Sequence, residues 1–355
     1  MTRRRLIVVL AGAAVVLVAL AGYWIWWADR DNYLLRADAR DLKSTVVTAH
    51  LEEPIVPGKN VLWCSTFQLA WNEGCALLGE DIHLDNEPAM VAILNQKSAT
   101  KADIDEASYV AMAGWTQDGI VEQIRSEVHR KFDMKPELLP EHLSQGLLVE
   151  YACLFKNLEF AVPFERIDHT LHFGDKAVRA FGLTDNSTPE QIEQASVLLD
   201  PNHDVDGQSI VEIRTKSPED RLLLAGVKPA ATLAATIDKV HALITSPSAP
   251  SPGRPYGLVI PKLNFRILRA YDELIGKGLA VANPAAKGMP IVFAAQDIRF
   301  QMNERGVVLR SEGGLVKKSA PLQFYHPFLI LLERRGAKAP YFALWVDNAE
   351  LLVPE

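Results

Sequence analysis

The sequence predicts an α+β fold with substantial antiparallel sheet, preceded by one membrane-spanning helix. Helical patterns occur mainly in the first part of the chain, strand patterns are concentrated in the last part, and no regular alternation of the two is visible. Parallel α/β folds require that alternation, whereas separate runs of helices and strands are typical of α+β proteins. A long apolar run close to the N-terminus adds the predicted membrane helix.

Composition and charge exclude several classes of protein. The chain has 355 residues, of which 48% are hydrophobic and 23% are charged, as in packed globular proteins. These values exclude a disordered chain, a collagen-like repeat and a small fold held by disulfides. The formal net charge is −7, and three of the basic residues, Arg3–Arg5, precede the apolar run. We expect no nucleic-acid partner, because phosphate backbones attract basic surfaces.

The apolar run Leu6–Trp27 contains 22 residues and no charge. As a helix it would span roughly 33 Å, enough to cross the hydrocarbon core of a bilayer. The arginines before it predict a cytoplasmic stub at residues 1–5, a transmembrane anchor at residues 6–27 and a main domain on the extracytoplasmic side. The alternative is a signal peptide that is cleaved near Ala21, which would leave a secreted protein.

Local patterns predict the elements that follow. Residues 28–52 are polar, and we expect a stalk that leads into a first helix. Apolar runs and helical spacing then predict these elements in the first half: a buried strand at Val61–Trp63, a helix from Ser65 or Thr66 to Gly79, an amphipathic helix at Asp118–Phe132 and a central strand at Leu147–Phe155.

The second half begins with a helix start at Thr188–Gln191, where Pro189 occupies the first helical position. Apolar periodicity then predicts a helix with Leu233, Ile237, Val240 and Ile244 on one face, a strand at Leu258–Ile260, a half-buried strand with Ile298, Phe300 and Met302, and a hairpin of Phe324–Leu332 with Tyr341–Val346. The proline-rich stretch Thr245–Gly257 is either a domain linker or a long surface loop.

Motifs for catalysis or metal binding are weak. Cys64, Cys75 and Cys153 form no metal-binding spacing, and we expect them to be small buried hydrophobic residues. The stretch Asn202–Gly207 resembles a calcium loop, but its closing Glu212 comes one position early, so we expect a solvated acidic turn. Signatures of hydrolases, zinc proteases and phosphate-binding loops are absent from the sequence. We expect no enzymatic activity, no metal and no cofactor.

Three stretches, in order, resemble the serpin family. Gln296–Gly306 is similar to the strand and Asn-Glu-x-Gly turn that lead into the serpin reactive loop. His326–Leu331, followed by Tyr341–Val346, resembles the closing Pro-Phe strand and final hairpin of that family. Residues 148–173 contain its Phe-Lys, Pro-Phe and Thr-x-x-Phe pattern. The resemblance implies that residues 53–355 form a serpin-like domain, in which helices pack on a large, mostly antiparallel, five-stranded central sheet with smaller sheets beside it.

The resemblance also implies a reactive-loop equivalent near residues 306–323. In inhibitory serpins a protease cleaves this loop, whose first half then inserts into the central sheet. The corresponding hinge residues in this sequence are Glu304, Gly306, Val307, Leu309 and Ser311. The candidate cleavage sites for a trypsin-like protease are Lys317, Lys318 and Arg310.

Several departures from the family pattern bear on function. The Ala-rich hinge is missing, and Glu304 lies only 23 positions before Pro327, so the loop is short. Gln296 stands where the family has a His, Glu150 or Tyr151 where it has an Asn, and Phe67 where it has a Ser.

These departures predict a non-inhibitory binding or structural module, with a protease or another envelope protein as its partner. One alternative is a working serine- or cysteine-protease inhibitor that acts by loop cleavage and insertion. Another is an unrelated α+β envelope protein or enzyme.

Overall fold

The computed structural model describes residues 33–200, 207–246, 253–255, 257–307 and 322–355. The predicted anchor, the acidic turn at 202–206 and most of the predicted reactive loop lie outside these ranges. The chain divides into two compact units, Met1–Leu35 and Arg36–Glu355, and residues 33–35 are the described part of the first. None of the helices in the described ranges has the length and hydropathy needed to cross a membrane.

Strands dominate the described chain. In chain order they are β1 (Leu35–Asp38), β2 (Thr45–Thr48), β3 (Asn60–Cys64), β4 (Tyr109–Trp115), β5 (Leu148–Leu154), β6 (Leu158–Glu159), β7 (Glu165–Phe173), β8 (Lys176–Leu183), β9 (Ala195–Leu199), β10 (Ser209–Ile213), β11 (Asp220–Gly226), β12 (Leu258–Pro261), β13 (Leu263–Ala270), β14 (Ala295–Met302), β15 (Gly306–Val307), β16 (Leu322–Gln323), β17 (Phe328–Arg334) and β18 (Phe342–Val346). The α-helices are α1 (Thr66–Leu78), α2 (Ala89–Leu94), α3 (Ile120–Phe132), α4 (Pro189–Glu193) and α5 (Leu233–Thr245).

The largest sheet has seven strands in the order β2-β3-β18-β17-β11-β10-β9. Its neighbours run antiparallel except β2 and β3, which are parallel. The closing hairpin β17–β18 lies at its centre, where Ile330 is opposite Leu344. Residues of α5 and the indole rings of Trp63 and Trp345 belong to the core on one face of this sheet. Burial of these large apolar side chains stabilises the sheet.

Smaller sheets surround the large one. A four-stranded sheet has the order β16-β12-β8-β7, and a three-stranded sheet has the order β1-β13-β14. Two pairs, β4 with β5 and β15 with β6, complete the set in the described residues. Helix α1 packs against β4, β5 and β14, and α3 packs against β4 and β5. The predicted α+β class with substantial antiparallel sheet is therefore confirmed.

Most predicted elements have the expected type and place. The helix start at Thr188 is a capping box, in which the Thr188 hydroxyl accepts from the Gln191 amide and the Gln191 side chain accepts from the Thr188 amide. Helix α1 ends at Gly79 in the left-handed conformation, as predicted, although the Ser65 side chain does not cap its start. The alternating residues of the predicted half-buried strand, Ile298, Phe300 and Met302, are buried, and so are Phe328, Ile330 and Leu344 of the predicted hairpin.

Three expectations differ from the structure. Residues 28–52, expected as a stalk leading into a helix, contain strands β1 and β2, because the β-branched run Thr45–Thr48 pairs with β3. Leu147–Phe155, expected as a central strand, gives an edge strand, β5, whose seven residues are all half-buried. No five-stranded sheet is present among the described residues. Its expected place is taken by the separate sheets β1-β13-β14 and β4-β5.

Candidate functional site

The candidate site is the boundary between strands β5 and β14, which we call the seam. Both strands are edges of their sheets, and no ladder joins them in the described chain. They are nevertheless held near one another, because α1 packs against both and because β6, which follows β5, pairs with β15, which follows β14. Edge strands present unpaired N–H and C=O groups, so the seam offers two templates for an added strand.

Gln296 ties the β14 side of the seam to the start of α1. Its side-chain amide donates to the Cys64 carbonyl oxygen at 2.9 Å and to the Thr66 hydroxyl at 2.6 Å. Its Oε1 accepts from the Tyr271 hydroxyl at 3.0 Å. The Gln296 side chain, at the position where the resemblance implies a His, is thus fully engaged in a buried network, and such networks rigidify their surroundings when every member is satisfied.

Phe67 occupies the first turn of α1, where the resemblance implies a Ser. Its ring lies 4.0 Å from the ring of Tyr271, measured between centroids, with a tilt of 40°. The neighbouring Ser65 hydroxyl is buried and has no hydrogen-bond partner in the described residues. A hydrophobic contact therefore stands at this position instead of a polar one.

Glu150 lies on the β5 side of the seam. Its carboxylate packs against Gly74 of α1, so closely that a Cβ at Gly74 would lie 2.0 Å from its Oε1. Tyr151, the next residue, packs instead against the core beneath α3. Burial raises the pKa of Glu150 to about 8, because the charged carboxylate would lose its hydration. Of the two candidates for the family Asn position, Glu150 is the one that faces α1.

Glu304 marks the end of β14 and is buried between two cations. Its Oε1 accepts from Arg166 Nε at 2.8 Å, and its Oε2 lies 2.6 Å from Lys262 Nζ. Burial opposes ionisation of this carboxyl, but Lys262 and Arg166 outweigh it and lower the pKa of Glu304. Its backbone carbonyl also accepts from the Phe164 amide at 2.6 Å. Glu304 is consequently fixed by two remote segments of the chain, residues 164–166 and Lys262.

Gly306 follows in a backbone conformation that favours glycine, with φ of +143°. A Cβ at this position would lie 2.4 Å from the carbonyl oxygen of Leu158. The β15–β6 ladder places Gly306 opposite Glu159 and Val307 opposite Leu158, and the Phe160 amide donates to the Arg305 carbonyl at 2.8 Å. The predicted hinge is therefore folded back onto the segment that follows β5.

The structure places only part of the predicted site. Glu304 and Gly306 lie together at the end of the seam, and the backbone of Val307 extends the β15–β6 pair. The other predicted hinge and cleavage residues lie outside the described residues: Leu309, Ser311, Arg310, Lys317 and Lys318.

Arg166 and Lys262, which hold Glu304, were not among the sequence candidates. Arg166 is 138 positions from Glu304, so no local pattern could have paired them. In the described part of the chain, no cluster of three or more His, Cys, Asp or Glu side chains could hold a metal ion. The three cysteines are free thiols, with Cys64 and Cys75 buried as predicted and Cys153 half-buried.

Comparison with known proteins gives structural similarities only. No protein-family profile and no curated protein sequence matches the chain. Similar solved structures include thyroxine-binding globulin in complex with thyroxine, at 15% identity and a TM-score of 0.44, over 65% of each chain. A second structure of human thyroxine-binding globulin with its ligand has 15% identity and a TM-score of 0.40, over 65% of this chain and 64% of that one.

Serpin48 of the insect Tenebrio molitor, described as a highly specific serpin, has 13% identity and a TM-score of 0.42, over 80% of this chain and 96% of its own. The matched part spans less than two thirds of the thyroxine-binding globulin chains. These likenesses concern the fold, and the thyroxine of two of the complexes is a property of those proteins.

Proposed function

We propose that this chain is a membrane-tethered, extracytoplasmic, serpin-like module that binds a partner or has a structural role, and that does not trap proteases. The observation that carries the proposal is the fixed hinge. Glu304 is held between Arg166 and Lys262, and Gly306 and Val307 are paired with β6. The absence of an Ala-rich hinge and the short loop support the same conclusion.

Loop insertion would require the hinge to reverse its path. Residues after Glu304 would leave β6 and enter the seam as a new strand between β5 and β14. The β15–β6 ladder and the bond from the Phe160 amide to the Arg305 carbonyl would be lost first, before any new strand bond forms. Each backbone hydrogen bond contributes only about 1 kcal/mol, and the inserted strand would form new ones in exchange. The fixed hinge therefore slows the start of insertion more than it destabilises the inserted state. When insertion starts slowly, the protease completes hydrolysis of the loop and dissociates before it can be trapped.

A protease inhibitor is the second candidate, and one observation favours it. The seam is unpaired on both sides in the described residues, so a strand could add there without displacing another strand. Val307, Leu309, Ser311 and Gly313 would alternate toward the sheet interior in the added strand. Leu309 is bulky but not prohibitive there, and the other three are tolerable.

The two candidates give different products with proteases. The full-length chain is incubated with trypsin and with a panel of serine and cysteine proteases, and the products are separated on denaturing gels. We expect cleavage near Lys317 or Lys318 into two fragments, with no band at the summed mass of chain and protease. A denaturant-stable complex with any protease would overturn the non-inhibitory proposal and support the protease-inhibitor function.

The proposed membrane attachment has its own test. The run Leu6–Trp27 should keep the full-length chain in the membrane pellet after carbonate washing. Release of a chain that begins at Gly22 would replace the anchor with a cleaved signal peptide. The partners that fit this location are a protease or another envelope protein, and the proposal assigns no cofactor.

A further inference from the structure

An exposed apolar patch lies in the connection between β13 and β14. Val292 and Phe293 are 61% and 57% exposed, the highest values among the large hydrophobic side chains of the described residues, and Ile275 is 39% exposed. The Gly276 amide donates to the Ile291 carbonyl at 2.8 Å, and the Ile291 amide donates to the Lys277 carbonyl at 2.9 Å. These bonds hold residue 275 beside residue 292, and we call the three side chains the 275/292/293 patch.

The patch is part of an ordered segment, because the same connection also contributes to the core. Leu274, Leu279 and Val281 are buried in the cluster that contains Trp71 of α1. The connection therefore has one apolar face that packs inward and a second apolar group that faces solvent. Single exposed hydrophobic residues are common on protein surfaces, but adjacent ones on a fixed loop indicate an interaction site.

The patch lies near the point where the chain enters the Arg36–Glu355 unit. Strand β1 is next to β13 in its sheet, and Arg40, just after β1, forms an ion pair of 3.5 Å with Asp272, three positions before Ile275. Residues 28–34 separate the predicted anchor from β1. Fully extended, these seven residues span at most about 25 Å. A chain anchored through residues 6–27 would therefore keep the start of β1 within about 25 Å of the end of the anchor, which lets the nearby surface around Asp272 reach the bilayer.

The charges around the patch are largely compensated. Asp272 pairs with Arg40, and Glu273 pairs with Arg269 at 2.7 Å. Lys277 donates to the Asn86 carbonyl, and the Glu80 carboxylate accepts from backbone amides of the same connection. The patch offers no cluster of unpaired basic groups to anionic headgroups. Its chemistry suits the apolar side of the headgroup region, with little dependence on lipid charge.

We propose that the 275/292/293 patch inserts into the interfacial layer of the bilayer that holds the anchor, and so fixes the orientation of the domain. This inference rests on the proposed membrane attachment. Strand β14 starts beside the patch at Ala295 and ends at Met302, and its eight residues span about 26 Å. The hinge at Glu304–Gly306 lies at the opposite end of β14 from the patch, and with the patch inserted we expect it to face away from the bilayer. The bilayer contact presents the reactive-loop equivalent to soluble partners.

The test uses an environment-sensitive fluorophore on the full-length chain in phosphatidylcholine vesicles. NBD is attached at Val292→Cys, at Ile275→Cys as a second site, and at Val56→Cys as the matched control, since Val56 is an equally apolar residue that is 52% exposed elsewhere. All variants carry Cys153→Ser, because the other two free thiols are buried. The Cys153→Ser chain alone, taken through the same labelling, supplies the blank. Retention in the carbonate-washed pellet is measured first on each labelled chain.

We expect the labels at positions 292 and 275 to emit at shorter wavelength than the label at position 56. Dithionite should bleach them about fivefold or more slowly, because it does not enter the bilayer. These differences should persist without anionic lipid. Retention of the chain with equal bleaching at all three positions would overturn the inserted patch but leave the attachment intact. Loss of the chain to the wash would overturn the attachment and the patch together. Protection of the labels from dithionite only at a high protein-to-lipid ratio would mean that a second copy of the chain, and not the bilayer, covers the patch. That result would overturn the proposal.

Discussion

Gly306 lies directly against the carbonyl oxygen of Leu158, at a distance that leaves no room for a side chain. The contact joins the residue that begins the predicted reactive loop to the strand that follows β5. It therefore connects the two sides of the seam at one end. The hinge is consequently a packed part of the domain, and substitutions in it should affect stability as well as loop behaviour.

Replacing Gly306 with Ala should destabilise the domain by roughly 1–3 kcal/mol. The new Cβ would collide with the Leu158 carbonyl, and φ of +143° is unfavourable for any residue other than glycine. Thermal unfolding of the detergent-solubilised chain measures the effect. Gly336→Ala is the matched control, because Gly336 also has positive φ but no atom within 4 Å of the new Cβ. Equal losses for the two variants would contradict the close packing of the hinge.

Replacing Glu304 with Gln should cost about 3–5 kcal/mol, because Arg166 and Lys262 would both lose this buried carboxylate as an ion-pair partner. Arg40→Gln, which removes an exposed ion pair with Asp272, should change stability by less than about 1 kcal/mol. Chemical denaturation of the two variants makes the comparison. A mild effect of Glu304→Gln would mean that the hinge is not fixed by these charges.

The Glu304 carboxyl should also make the stability of the domain depend on pH below neutrality. The pKa of Glu304 is lowered in the folded chain, so the stabilisation it provides is present at neutral pH and above its unfolded pKa. That stabilisation is lost as the pH falls through the folded pKa. The difference in stability between the native chain and Glu304→Gln should shrink on acidification, which denaturation at pH 7 and pH 3 would reveal.

Glu150 should make the stability of the domain depend on pH in the opposite direction. Burial raises the pKa of Glu150 to about 8, whereas the ordinary pKa of a Glu carboxyl, which the unfolded chain retains, is 4.5. The folded state therefore holds a proton that the unfolded state releases, and stability falls as the pH rises from that lower value to about 8. Glu150→Gln should be more stable than the native chain by roughly 4 kcal/mol at pH 8 and nearly equal to it at pH 4. The exposed Glu141→Gln is the control, and a pH-independent difference for Glu150→Gln would exclude a buried protonated carboxyl.

His241 provides a third titration, on the large sheet. Its Nε2 lies 2.8 Å from the Glu333 carboxylate, and this hydrogen bond raises the pKa of His241. A raised pKa means that the stabilisation is complete below the unfolded pKa and is lost as the pH rises through the folded one. His241→Gln should therefore cost up to about 1 kcal/mol at pH 5.5 and less at pH 8.5, since the imidazole is partly exposed. The exposed His142→Gln is the control, and an equal cost of the two substitutions at pH 5.5 would contradict the pairing.

The sequence allowed prediction of those parts of the fold that depend on local pattern. The capping box at Thr188 and the alternation through Ile298, Phe300 and Met302 depend on neighbours a few positions away, so their elements were predicted correctly. The strands β1 and β2 were missed, because short polar-flanked runs become strands only when a distant edge is available, here β3 for Thr45–Thr48.

The candidate site was predictable only in part, for the same reason. Glu304 and Gly306 stand in a short motif that the sequence displays. Arg166 and Lys262, which hold Glu304, come from two remote segments, and their pairing requires the folded chain. The separation of β5 from β14 depends on register and hydrogen bonding between strands that are far apart in sequence, which no local pattern encodes.

The melting temperature of the cleaved chain shows whether the loop inserts into the seam. Trypsin is used to cut the loop of the full-length chain near Lys317 or Lys318, the cut is confirmed by mass spectrometry, and thermal unfolding is recorded before and after. An uninserted loop adds no strand to the seam, so the account predicts a change of less than about 3 °C, equivalent to roughly 1 kcal/mol. Insertion would pair the open edges of β5 and β14 along their length. A rise of about 10 °C or more after the cut, several kcal/mol on the same scale, would contradict the account.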